Sequence, residues 1–181
     1  MPYDILPAAP ADAPAVLALQ RLAYQAEALR YNDWNLPPLT QPLEALEAEF
    51  KRLVILKAVP AEEPADGPTT WDADSIAPPV VGSVRAGMSH GVCHIGRLIV
   101  HPDHQRQGLG SALLAAIEAR FPKAERYSLF TGARSEDNVR LYERRGYSVV
   151  RRQELTPELT LVFLEKPGPA ARQNVPGGQE A

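Results

Sequence analysis

"VCHIGRLIVHPDHQRQGLGSALL", residues 92–114, joins three kinds of sequence in one run. Val92 to Val100 is rich enough in β-branched and aliphatic residues for a buried strand. After Gly108 small and aliphatic side chains recur as they do in a helix, which runs on to Phe121 and is stopped by Pro122. Gly108 and Gly110 lie at the junction, with Gln105, Arg106 and Gln107 ahead of them and Ser111 behind. The first N–H groups of a helix have no intrahelical partner and carry the positive end of the peptide dipoles, so such an end attracts anions. Two glycines there remove the side chains that would hold a bulky phosphate away. Ser111 adds a hydroxyl and Arg106 a charge at the rim.

Spacing narrows the choice of phosphate-binding design. A Walker A loop requires lysine after its last glycine, whereas Gly110 is followed by Ser111 and Ala112. A dinucleotide fingerprint requires its first glycine at the strand end and a third small residue; here seven residues separate Val100 from Gly108, and Leu113 takes the third place. What remains is a strand ending Val100-His101-Pro102, then Gln105 to Gly110 as Gln/Arg-x-x-Gly-x-Gly. A second stretch, "FTGARSEDNVRLYERRGY" (130–147), has a strand, then Asn138-x-x-x-Tyr142, then Gly146-Tyr147. In this order and separation the two motifs resemble the GNAT superfamily of N-acetyltransferases, in a bacterial form. The resemblance spans Tyr3 to Lys166, with its specific motifs between Ile95 and Tyr147.

The rest of the chain fits one domain, residues 1–166, with a flexible insertion near 60–79 that holds Trp71 and a disordered tail over 167–181. A first helix capped by Asp12 is expected to run to Arg30. Its apolar stripe is Val16, Leu19, Ala23 and Ala26, while Gln20, Glu27 and Arg30 face away. "LEALEAEFKR" gives a short helix, and "SEDNVRLYERRG" another with Ser135 as N-cap and Gly146 as left-handed stop. Strands are expected at "YDIL", "LVILKAV", "PVVGSVRAG", "RYSLFTG", "YSVVRR" and "LTLVFLEK". The expected class is α/β, a mixed, mostly antiparallel sheet of about six to seven strands with helices on both faces. The resemblance implies the GNAT-like acyl-CoA N-acyltransferase fold.

A net charge of -3 gives no basic field for nucleic acid or an anionic membrane. The single cysteine, Cys93, allows no intrachain disulfide, and no apolar run reaches the about 18 residues of a membrane span, so a cytoplasmic protein is expected. His90, His94, His101 and His104 cluster near Cys93, but Cys93 and His94 point to opposite faces of a strand, and no metal is expected.

The resemblance implies acetyl-CoA as cosubstrate and direct transfer of its acetyl group to a primary amine of a small molecule or protein. It places the pyrophosphate on Gln105, Arg106, Gln107, Gly108, Leu109, Gly110 and Ser111, and the pantetheine arm along Leu98, Ile99 and Val100. Asn138 holds that arm, and Arg106 or Arg144 reaches the ribose phosphate. Tyr142 lies one helical turn beyond Asn138, on the same face. It is the expected general acid: a phenol near pKa ~10 can donate to a thiolate made strongly basic by exclusion from water. The base is open among Glu27, Glu49 and His94, with Glu27 put forward. Tyr24, Glu27, Tyr31, Trp34 and Gln41 are candidates for the acceptor pocket, although Tyr31 and Trp34 can equally close the core. Arg97 is read either as the ion-pair partner of a helix carboxylate or as an acceptor-recognising residue. Two alternatives stay open: a non-catalytic acyl-CoA sensor module, and a homodimer edge along the late strands beside a self-sufficient lone domain.

Overall fold

Each stretch read as β-rich supplies a strand, and seven form among the described residues. The computed structural model describes residues 2–61 and 79–173, so most of the expected insertion, with Trp71, and residues 174–181 lie outside them. The strands are β1 (Tyr3–Pro7), β2 (Val54–Pro60), β3 (Gly82–Ser89), β4 (Val92–Val100), β5 (Arg126–Gly132), β6 (Ser148–Glu154) and β7 (Thr160–Pro167). The helices are α1 (Ala13–Tyr31), α2 (Pro37–Thr40), α3 (Leu43–Glu49), α4 (Leu109–Ala119) and α5 (Glu136–Arg144). Hydrogen bonding orders the strands β1-β2-β3-β4-β5-β7-β6. Pairings β1/β2, β5/β7 and β6/β7 are antiparallel and β4/β5 is parallel, the mixed α/β sheet the sequence predicts.

The chain divides into two compact units. The first comprises Met1–Arg85 and Arg97–Ile117. Its core gathers Val16, Leu17 and Leu19 of α1, Leu46 of α3, Ile55 of β2 and Ile99 of β4. Leu109, Leu113, Leu114 and Ile117 of α4 are buried in the same unit. Gly82 is required for that packing, because a Cβ there would stand 2.8 Å from Leu113 Cδ1 and 3.3 Å from Leu109 Cδ2.

Two expectations for α1 are corrected. Gln20 is fully buried and Ala26 is exposed. The polar residue goes inside because the α2 turn buries a carbonyl against it: Gln20 Nε2 donates to Pro38 O at 2.8 Å and to Gln41 Oε1 at 3.0 Å. Asp12 stands at the N-cap but makes no side-chain cap bond. Its carboxylate instead accepts from Ala9 N at 2.7 Å and pairs with Lys57 Nζ at 2.6 Å. Burial pushes that carboxyl upward, and the bonds to Lys57 and Ala9 outweigh it, leaving Asp12 below its usual range.

The second unit comprises Ala86–Gly96 and Glu118–Ala181. His90 and Gly91, both at positive φ, form the two-residue turn between β3 and β4. β5 pairs with β7 from Arg126↔Pro167 to Gly132↔Leu161. Glu118 is the unit's polar hub: one carboxylate oxygen accepts from Tyr147 OH at 2.8 Å and the other pairs with Lys166 Nζ at 2.6 Å. Burial first, then the Glu118 charge, pushes the Cys93 thiol up to about 12, so it stays protonated and inert. Ser135 precedes α5 without a side-chain cap bond, contrary to expectation, whereas Gly146 does turn left-handed at φ 88° to end the helix. Past Lys166 the chain is still tied down, Gly168 N donating to Glu125 O at 2.7 Å and Ala170 N to Ala124 O at 3.1 Å.

Gln20→Leu keeps the volume but removes the donor to Pro38 O, leaving a buried carbonyl unpaired. It is expected to cost about 1–3 kcal/mol of stability, measured by urea unfolding, whereas Gln25→Leu on the exposed face of α1 should change it little.

Candidate functional site

In the first unit, β4 ends at Val100, a turn over Pro102–His104 follows, and the chain then enters the left-handed region at Arg106 (φ 58°) and Gly108 (φ 83°). The first helical bond of α4 runs from Ala112 N to Gly108 O at 3.0 Å. The N–H groups of Leu109, Gly110 and Ser111 therefore precede any acceptor the helix can provide. Leu109 is buried and anchors the turn, while Gly110 and Ser111 are half-buried. A Cβ at Gly108 would meet nothing within 4 Å, so the loop is open where a phosphate would approach.

Side chains of the loop shape it from within. Gln105 Nε2 donates to Val100 O at 3.3 Å, and Gln107 Nε2 to Asp103 O at 3.2 Å. Gln107 Oε1 accepts from Tyr3 OH at 2.6 Å. That bond uses the only phenolic proton, so the 3.0 Å contact between Tyr3 OH and His104 Nδ1 has the imidazole as donor. Burial, then the neighbouring His101, holds His104 below the usual imidazole range. A tyrosine on the first strand thus locks a loop a hundred residues later, a contact with no local sequence signal.

Also in the first unit, a polar cluster lies among α1, α3, β3 and β4. Arg85 is buried, with Nη1 2.9 Å from Glu49 Oε2 and Nη2 3.2 Å from Gln41 Oε1. Gln41 Nε2 donates to Glu49 Oε1 at 2.8 Å. Burial lowers Arg85 to about 10, with Glu49 opposing that shift and Arg97 adding to it. Arg97, at φ 49° within β4, lays its guanidinium 5.8 Å from the centre of the Tyr24 ring. It takes neither side of the expected choice outright: its partner is an aromatic ring, and among the described residues no carboxylate pairs with it. The left-handed residue also interrupts the alternation of faces along β4.

The other acceptor candidates separate. Tyr24 and Gln41 join this cluster, Tyr31 is buried in the core, and Trp34 is 55% exposed. Glu27 is half-buried on α1 and pairs with Arg30. Glu49, a candidate base, is committed to Arg85 and Gln41, and His94 is exposed on β4. Arg85 was missed, although a lone arginine in the apolar run "PVVGSVRAG" is the kind of signal that marks a buried functional charge.

In the second unit, Asn138 Nδ2 donates to Thr131 Oγ1 at 3.3 Å. Tyr142, one turn on, is 6% exposed, with its ring 6.0 Å from that of Tyr147. Arg144 is exposed in the last turn of α5. Leu98 and Val100 are half-buried, and Ile99 between them packs in the core of the first unit.

The model of the acetyltransferase (GNAT) family matches residues 27–147. A Klebsiella pneumoniae protein, whose name assigns it provisionally to the acyl-CoA N-acyltransferases, is 27% identical; the match covers 91% of this chain and 97% of that one, with a TM-score of 0.59. The PaiA N-acetyltransferase of Thermoplasma acidophilum, solved with coenzyme A, is 16% identical over 92% of this chain and 99% of that one, at a TM-score of 0.67. The phosphinothricin acetyltransferase of Sinorhizobium meliloti, solved with acetyl-CoA, is 15% identical over 98% and 95%, at 0.70. Among curated proteins, none matches the sequence.

Tyr3→Phe removes the link between β1 and the loop. Faster amide hydrogen exchange is expected across Gln105–Ser111, with a global stability loss of only about 1 kcal/mol.

Proposed function

The chain belongs to the acetyltransferase (GNAT) family, and from that premise we propose that it transfers an acetyl group from acetyl-CoA directly to a primary amine of a small molecule or a protein. The observation that carries this reading is the start of α4, where left-handed Arg106 and Gly108 leave the N–H groups of Leu109, Gly110 and Ser111 without helical acceptors over an open approach. Such an end fits a pyrophosphate. Because Gln105 and Gln107 spend their side chains inside the loop, its grip on the pyrophosphate is mainly through backbone, and Arg106 or Arg144 is the proposed contact for the ribose phosphate. Two fold neighbours solved with the coenzyme support the assignment.

Acetyl-CoA supplies the acetyl group as a thioester. The chain's own tasks follow from that chemistry. Leu98, Ile99 and Val100 offer backbone groups to the pantetheine arm, and Asn138 an amide. As the amine lone pair bonds to the carbonyl carbon, charge develops on the carbonyl oxygen, and a backbone N–H near Ile99 or Val100 is the donor that meets it. The C–S bond then breaks, and Tyr142 gives its phenolic proton to the departing sulfur. The surplus proton on the new amide nitrogen goes to a base, directly or through water. For that role we put forward Glu27, half-buried on α1, which pairs with Arg30 and whose charge Tyr24 senses.

Tyr142→Phe, which removes one hydroxyl and leaves the packing, is expected to lower kcat by about 10² or more with KM for acetyl-CoA nearly unchanged, read as amine-dependent thiol release. Gly108→Val should act the other way, raising KM for acetyl-CoA, since a branched side chain is strained at φ 83° and stands where the phosphate approaches. Acetyl-CoA binding with no amine-dependent release from a broad panel of amines would instead favour a sensor.

A further inference from the structure

The polar cluster of the first unit is out of balance. It holds two guanidinium groups, Arg85 and Arg97, and one carboxylate, Glu49, whose ion pair and hydrogen bonds are taken by Arg85 and Gln41. The other nearby carboxylate, Glu27, is paired with Arg30. Tyr24 shares a hydrogen bond with Arg97 and is held neutral, burial raising its phenol above the ordinary value more than the Arg97 charge and that bond lower it, so the phenol offers Arg97 a polar neighbour but no negative charge. One positive charge is left in excess, on Arg97. Its Nε is buried and has no hydrogen-bond partner. An uncompensated buried donor on a charged group is costly, and the repulsion between Arg85 and Arg97 adds to that cost.

The backbone points the same way. Arg97 sits at φ 49° inside a strand, a conformation that glycine adopts without cost and other residues rarely take. Gly96, immediately before it, shows that the chain uses glycine in this strand. Arginine in the strained place therefore calls for a use of its side chain. Arg97 is adjacent to Leu98 and stands two residues, about 7 Å along the strand, from Ile99.

We propose that the acceptor amine also carries an acidic group, a carboxylate in the simplest case, and that the Arg97 guanidinium binds it. The inference rests on the acetyltransferase reading, which places the reacting carbonyl near Ile99 and Val100. It makes the acceptor an amino acid or a similar amino-carboxylate, with amine and acid only a few bonds apart. The anion pairs with the outer nitrogens of the guanidinium and neutralises the excess charge, which the neighbouring Arg85–Glu49 pair leaves uncompensated. Planar, two-pronged pairing with a carboxylate is what arginine provides and lysine does not.

Binding decides this independently of turnover. Calorimetric titration in the presence of CoA compares L-lysine with cadaverine, L-phenylalanine with phenethylamine, and L-methionine with 3-(methylthio)propylamine. At least one acid is expected to bind about tenfold more tightly than its decarboxylated partner, a preference that falls to about one in Arg97→Gln and in Arg97→Gly. Glycine relieves the φ 49° strain, so Arg97→Gly is the variant that keeps the fold, with an unchanged Tm as its check. Equal binding within every pair, or a preference that survives both substitutions, overturns the proposal. Thiol release from acetyl-CoA, measured on the same acids, separates the two readings: an acid held through Arg97 without release leaves the anion site standing and removes the acetyltransferase.

Discussion

A helix cannot satisfy its own first N–H groups, and in this protein that constraint organises the first unit. The groups of Leu109, Gly110 and Ser111 are useful only if the end of α4 is fixed while its approach stays open. Fixing comes from burial: Leu109, Leu113, Leu114 and Ile117 bring one face of α4 into the core, and Gly82 lets β3 come close enough to receive it. Openness comes from the backbone, because left-handed Arg106 and Gly108 turn the loop without placing a side chain over it. Tyr3 then ties the loop to the first strand through Gln107 and His104.

The polar clusters around Glu118 and around Arg85 balance their charges differently. Around Glu118 the account closes: one carboxylate faces one ammonium, Lys166, and Tyr147 fills the remaining oxygen. In that cluster both carboxylate oxygens and the ammonium have partners. Around Arg85 and Glu49 a similar pair is built, with Gln41 bridging and Gln20 behind it, and then a second guanidinium is added without a carboxylate. A buried ion pair is weak evidence for stability, because desolvation offsets most of the attraction. The half-buried Arg97 adds a positive charge beside that pair, and the acidic group of the proposed acceptor would offset it.

Local chemistry was legible in the sequence and distant chemistry was not. The strand, glycine loop and helix of residues 92–121 could be read because each signal lies within a few residues of its effect, and so could the Gly146 stop. Asn138 and Tyr142 share a face of α5 for the same reason. Gln20 was assigned to solvent because polarity usually decides, but the carbonyl of Pro38 needed a donor, and no pattern within α1 announces that. Asp12 and Ser135 occupy the cap positions their residue types predict, yet neither side chain makes the cap bond; Asp12 is drawn away by Lys57, 45 residues on. The left-handed turn of Arg97, which breaks the alternation of faces in β4, has no signal in the residues around it. Tyr3, at the far end of the chain from its loop, left no trace at all.

The most direct measurement is to follow acetyl-CoA labelled with ¹³C at the carbonyl by NMR while the protein turns over a mixture of amines and amino acids. The account predicts that the thioester carbonyl resonance gives way to an amide carbonyl, and does so only when an amine is present. A resonance that stays a thioester, or one that passes to free acetate whether or not an amine is present, would contradict it.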